Sequence, residues 1–141
     1  MIRAAVIGLG RWGRALVNAV HGKSDEIRFV AAHTRTPAAA EAFCRARNLP
    51  LLGSYEDILA DRTIDAVVLA TPHSQHAQQV LQAAAAGKHV FVEKPLTLDR
   101  ASARAVVRAA EKAGVTLAVG FCRRFHPSIA ETRRRLRDGR L

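Results

Sequence analysis

An apolar run from Ala4 to Ile7 leads directly into Gly8-Leu9-Gly10-Arg11-Trp12-Gly13, and this junction narrows the folds open to the chain more than any other feature. In the spacing G-x-G-x-x-G the first glycine permits a tight turn, the second lets a pyrophosphate meet bare backbone, and the third lets a helix lie close on its strand. Trp12, Ala15, Leu16, Ala19 and Val20 recur at helical spacing behind the turn. A strand thus feeds a glycine turn that opens a helix, whose free N–H groups and positive dipole end suit a phosphate. Gly8, Leu9, Gly10, Arg11, Trp12 and Gly13 are therefore read as a dinucleotide-binding loop. Arg11 is placed either to approach the pyrophosphate or to lie in solvent, and Trp12 either to face the ligand or to cap the core.

The rest of the chain alternates strand and helix. Strands are expected at Ile27 to Thr34, in the short stretch "LPLLG", at Asp65 to Thr71, at His89 to Pro95 and at Thr116 to Phe125. Helices are expected at Pro37 to Asn48, in "SYEDILAD" with Ser54 and Asp57 as its cap, in "HSQHAQQVLQAAAAG", in "LDRASARAVVRAAEKAG" and from Pro127 to Asp138. Six strands separated by helices imply an α/β, doubly wound Rossmann fold, with a mostly parallel six-stranded sheet and helices on both faces. In such a sheet the ligand lies across the carboxyl ends of the strands, so chemistry is sought in the loops there. With 141 residues and no linker or repeat, residues 1–141 form one dinucleotide-binding domain.

Composition removes several function classes. No hydrophobic run approaches the roughly 20 residues of a membrane span, and the N-terminus lacks a signal-peptide pattern, so no membrane partner and a cytoplasmic location are expected. Cys44 and Cys122 are too few for a disulfide framework and are expected to be buried thiols. The net charge of +10 owes much to Arg133, Arg134, Arg135, Arg137 and Arg140. Aromatic residues are too sparse to interleave with them as stacking platforms, and no nucleic-acid-binding signature is present, so a solvated helix end is expected and no nucleic acid partner.

Four loops carry candidate chemistry. About 20 residues beyond the glycines an acid would accept hydrogen bonds from the ribose hydroxyls, but the chain reads His33, Thr34, Arg35, Thr36. A guanidinium pairs with a phosphate through two parallel bonds, so Thr34 and Arg35 point to NADP(H) as the preferred cofactor, with NAD(H) left open. In "ATPHSQHAQQV", Thr71 and Pro72 end a strand, and His73 and His76 are three apart with no third ligand, which makes a poor metal site. This turn is expected to lie along the nicotinamide half of the cofactor, with His76 orienting it through hydrogen bonds. Glu93, Lys94 and Pro95 end the next strand, where the Lys94 ammonium is placed to donate to a substrate oxygen and, desolvated in the crevice, to take part in proton transfer. Pro95 stiffens this turn and is a position where a cis bond can occur.

"GLGRWG", "ATPHSQHAQQVLQAAAAGKHVFVEKPLTLD" and "GFCRRFHPS" together resemble the N-terminal half of the Gfo/Idh/MocA oxidoreductases, the family of glucose-fructose oxidoreductase and inositol dehydrogenase. The resemblance implies a pyridine-nucleotide enzyme acting on a secondary alcohol of a sugar, cyclitol or polyol. By the same resemblance Lys94 is the catalytic lysine of the EKP motif, Gly8, Gly10 and Gly13 are the phosphate loop, Thr71, Pro72 and His76 border the nicotinamide, and Arg124 with Phe125 forms the turn after the last strand. It further implies a C-terminal substrate and oligomerisation domain, which this chain lacks; the full-length protein is then a homo-oligomer, the isolated 141 residues a monomer that binds cofactor and turns over poorly. Two other readings are a non-catalytic NADP(H)-binding or redox-sensing module and a basic domain that binds nucleic acid.

Overall fold

The computed structural model describes residues 1–140. Five parallel strands form one sheet: β1 (Ile2–Ile7), β2 (Ile27–His33), β3 (Ala66–Leu69), β4 (His89–Glu93) and β5 (Leu117–Gly120), in the order β2-β1-β3-β4-β5. Between and after them run α1 (Arg11–Val20), α2 (Glu41–Arg45), α3 (Tyr55–Ala60), α4 (His73–Ala85), α5 (Arg100–Ala113) and α6 (Pro127–Arg137). The alternation of β1 explains the layers. Ala5 and Ile7 face a core shared with Ile58 of α3, Val80 of α4 and Val106 of α5. Ala4 and Val6 face a second core with Val17 of α1 and Cys44 of α2.

The doubly wound sheet read from the sequence is present, with five strands in place of six. The expected third strand is a single parallel bridge between Ala32 and Leu51. It consists of the bonds from Ala32 N–H to the Pro50 carbonyl and from Leu52 N–H to the Ala32 carbonyl, each 2.8 Å. Pro50 has no N–H to extend the ladder and Gly53 turns the chain away. Counting this bridge as a strand restores the order 3-2-1-4-5-6 of dinucleotide-binding sheets.

Two other elements are shorter than read. The helix expected over Pro37 to Asn48 is a 3-10 turn, Pro37–Ala39, followed by α2. The Ala39 carbonyl there is taken by the Arg14 guanidinium, out of a continuous helical ladder. The last strand, expected to reach Phe125, stops at Gly120, because Phe121 N–H folds back to the Val119 carbonyl at 2.8 Å in a three-residue turn and a 3-10 turn, Cys122–Phe125, follows. Ser54 and Asp57 form the expected reciprocal cap of α3, each side chain accepting from the other's backbone N–H at 3.0 Å.

Candidate functional site

All the expected loops emerge at the carboxyl edge of the sheet, and the glycine turn sets their spacing. Gly8 has φ +93°, and a Cβ there would lie 2.6 Å from the Ala70 carbonyl oxygen; at Gly13 a Cβ would lie 1.9 Å from the Gly8 carbonyl oxygen. Both glycines are demanded by close backbone packing. Gly10 differs, since nothing stands within 4 Å of where its Cβ would be. It is the N-cap of α1 and offers no side-chain cap, and the first helical bond runs from Arg14 N–H to the Gly10 carbonyl at 3.1 Å. The preceding N–H groups of the helix start are thus left for a ligand. Open space over Gly10 beside uncapped amides is the cradle that a pyrophosphate fits.

Two adjoining clefts share the wall made by Arg11, Trp12, Ala70 and Thr71. One, of about 430 Å³, also carries Gly8, Gly10, His33, Thr34, Arg35, Thr36 and Pro72. The Arg35 side chain is exposed at its rim and has no hydrogen-bond or ion-pair partner among the described residues. The other cleft, of about 440 Å³, carries His73, Glu93, Lys94, Cys122 and Arg123. The structure therefore brings the glycine turn, Thr34, Arg35, Thr71, Pro72, Glu93 and Lys94 to one continuous depression. Trp12 is 43% exposed and belongs to its wall, so it does not cap the core.

Other expected residues are placed differently. Leu9 is buried in the core behind the turn and offers a ligand only its backbone. Arg124 is exposed and lines neither cleft; it borders an adjoining groove with Phe121 and Arg133 that shares Lys94, Cys122 and Arg123 with the second cleft. Cys44 is buried, and burial pushes its thiol up despite the opposing charges of Arg14 and Arg47, whereas Cys122 is exposed on the cleft wall and corrects the expectation of two buried thiols. Lys94 is exposed, so these residues alone do not supply the desolvation expected around it. Among the described residues no group of three or more His, Cys, Asp or Glu is placed to hold a metal. His76 is fully buried, with Nδ1 2.8 Å from the Pro95 carbonyl oxygen and Nε2 3.1 Å from the Thr71 carbonyl oxygen.

The turn at Glu93 and Lys94 has its own logic. Glu93 is 8% exposed, and its Oε1 lies where a Cβ on Gly120 would come within 2.6 Å. Gly120 on the neighbouring strand is small so that this carboxylate can tuck against β5. The Lys94–Pro95 peptide is cis. Gln75 and Gln79, which the sequence reading passed over, also line the cleft of the glycine turn. Thr71 Oγ1 donates to Gln79 Oε1 at 2.6 Å, and Tyr55 Oη donates to the Gln79 carbonyl at 2.9 Å. Their signal was available: they are four apart on α4, one turn beyond Pro72, on the helix face that meets the first loop.

Sheet order and glycine cradle define a dinucleotide-binding Rossmann domain. The chain belongs to the Gfo/Idh/MocA family, an oxidoreductase family with an NAD-binding Rossmann fold, which it matches over residues 2–121. It is 39% identical over 140 residues to the inositol 2-dehydrogenase of Rhizobium meliloti (strain 1021), covering 99% of this chain and 42% of that protein. It is 40% identical over 115 residues to D-xylose 1-dehydrogenase (NADP(+)) 2 of Haloferax volcanii, covering 81% of this chain and 35% of that one. The scyllo-inositol dehydrogenase of Lactobacillus casei with bound NAD(H) and scyllo-inositol superposes with a TM-score of 0.91 at 28% identity, over 99% of this chain and 42% of that chain. The chain thus spans about two fifths of the length of these relatives.

Proposed function

We propose that these residues are the nucleotide-binding half of an oxidoreductase that exchanges a hydride between NADP(H) and a secondary alcohol of a sugar, cyclitol or polyol. The observation that carries it is the single depression in which the open backbone over Gly10, the unpaired Arg35 and the Lys94 side chain are reached from one another. Gly10, Arg11 and the start of α1 hold the pyrophosphate; Thr34 and Arg35 hold the 2′-phosphate; Thr71 and Pro72 border the nicotinamide. When bound, the nicotinamide supplies the hydride acceptor or donor. Lys94 donates from Nζ to the reacting oxygen, which polarises the carbon–oxygen bond and balances charge that develops on oxygen. The remaining pocket and proton relay come from a second domain, which also forms the oligomer. The relatives include one named for NADP(+) and one holding NAD(H), so the preference is argued from Arg35 and Thr34 in this chain.

Trp12, the only tryptophan, lies on the shared cleft wall and reports ligand binding by its fluorescence. Parallel titrations with NADPH and NADH are expected to show tighter NADPH binding. The variant Arg35→Ala should weaken NADPH by about 10-fold or more and leave NADH within about twofold, as loss of one charge-assisted bond implies. Equal affinities in the unaltered chain overturn the NADP preference, and absence of binding to a folded chain overturns the cofactor site.

A further inference from the structure

We propose that His76 is a positioning residue for Lys94. Its imidazole has no exposed surface and lines neither cleft, yet it touches a backbone carbonyl from each of the two turns that flank the reacting end: Pro95, which follows Lys94, and Thr71. A buried polar ring is costly unless it is hydrogen-bonded, so these two contacts account for its presence. The inference rests on the reading of Lys94 as the residue that meets the substrate oxygen.

Leu96 packs against the core, but the turn has few polar contacts to hold it. Among the described residues no backbone–backbone hydrogen bond fixes Lys94 through Leu98, and the Lys94 N–H reaches Oε2 of the neighbouring Glu93 at only 3.3 Å. The Lys94 side chain makes no hydrogen bond or ion pair among the described residues, so the place of its ammonium follows from the backbone that carries it. The 2.8 Å contact from His76 Nδ1 to the Pro95 oxygen is the shortest polar contact on that backbone. Carbonyl oxygens only accept, so the contact requires a proton on Nδ1, and only a doubly protonated ring donates to both carbonyls. Through Nδ1 the ring holds the turn that presents Lys94, while its other edge lies against the turn that borders the nicotinamide site.

The test uses the cofactor-free 141-residue chain and reads Lys94 directly. Acetic anhydride is reacted at low conversion, and acetylation of Lys94 is counted by peptide mass spectrometry against the exposed Lys112. His76→Asn keeps an amide donor near the Nδ1 place and His76→Gln keeps one near the Nε2 place; His76→Ala keeps neither. Lys94 reactivity is expected to change by about fivefold in His76→Gln and His76→Ala, the scale of one lost hydrogen bond, and to stay within about twofold in His76→Asn. Loss of general packing would affect Asn and Gln alike, so equal effects in the two variants overturn the proposal. The unaltered chain gives a second readout if the variants fail to fold: long-range 1H–15N spectra are expected to show a proton on His76 Nδ1, and a bare Nδ1 overturns it. Failure of the chain to bind either cofactor, with the reactivities split as stated, would remove the proposed enzyme reading and leave the positioning role standing.

Discussion

The glycine turn and the carboxyl-terminal segment are both flanked by helix, and they are stabilised in opposite ways. Around Gly8 and Gly13 the backbone packs so tightly that no Cβ fits, and α1 buries Gly13 and Val17 against the sheet. From Phe121 to Asp138 the side chains of Phe121, Phe125, Ile129 and Leu136 are 60%, 81%, 44% and 59% exposed, and α6 buries no residue at all. Its internal support is local: Glu131 pairs with Arg134 at 2.8 Å and Arg135 at 2.7 Å, and Arg134 pairs with Asp138 at 2.9 Å. Helices in proteins owe most of their stability to packing of an apolar face, so α1 is held by the fold and α6 chiefly by itself. Position in sequence and helical propensity do not reveal this difference; burial does.

The sharpest way to break the comparison is at the glycines themselves. Gly13→Ala would force a Cβ to within 1.9 Å of a backbone oxygen, and is expected to cost at least about 3 kcal/mol and lower the melting midpoint by about 10 °C or more. Gly10→Ala meets open space at φ −69° and should leave the midpoint nearly unchanged while weakening NADPH binding, because the methyl occupies the room over the turn. Calorimetry and Trp12 fluorescence separate the two effects. A Gly10 variant that melts early, or binds NADPH as the unaltered chain does, would remove the distinction between a packing glycine and a cradle glycine.

Hydrogen exchange sharpens the comparison next. Amides of β1 and α1 are expected to exchange only through near-global unfolding, and those of Pro127–Arg137 at least about 100-fold faster, since α6 lacks buried contacts. Equal protection would mean that α6 is docked. Replacing Glu131 by Gln removes two of the three ion pairs of α6, leaving Arg134 with Asp138, and should speed exchange there without a measurable change in the global transition.

The same contrast explains what the sequence made legible. The junction at Ile7 and Gly8, the Ser54–Asp57 cap and the left-handed Gly114 that ends α5 are local signals, and each appears where it was read. The errors fall where long-range contacts decide. Leu51 has strand character but finds only one partner, and the alanines after Pro37 favour helix until Arg14, from another element, takes the Ala39 carbonyl. Gln75 and Gln79 were missed because glutamines on a helix look like ordinary surface until the partner loop is placed.

Acidification provides the finest test. Asp99 caps α5, and its side-chain and backbone bonds from Ser102 hold its carboxyl below the usual carboxylate range; Arg134, with Arg135, does the same for Glu131. A group with a lowered folded-state value contributes stability above its ordinary value and loses it as pH falls through the folded one. Both contributions are therefore complete at neutral pH and fade in acid, but they should be read by different probes. Helix α5 buries Val106 and Ala110, so protonation of Asp99 should lower the global melting midpoint, and Asp99→Asn, which keeps a cap acceptor, should flatten that part of the pH profile. Protonation of Glu131 should reduce the helical signal of α6 while leaving the midpoint alone. If the midpoint instead follows Glu131, then α6 is coupled to the core, and the two ends of the chain are stabilised more alike than their burial implies.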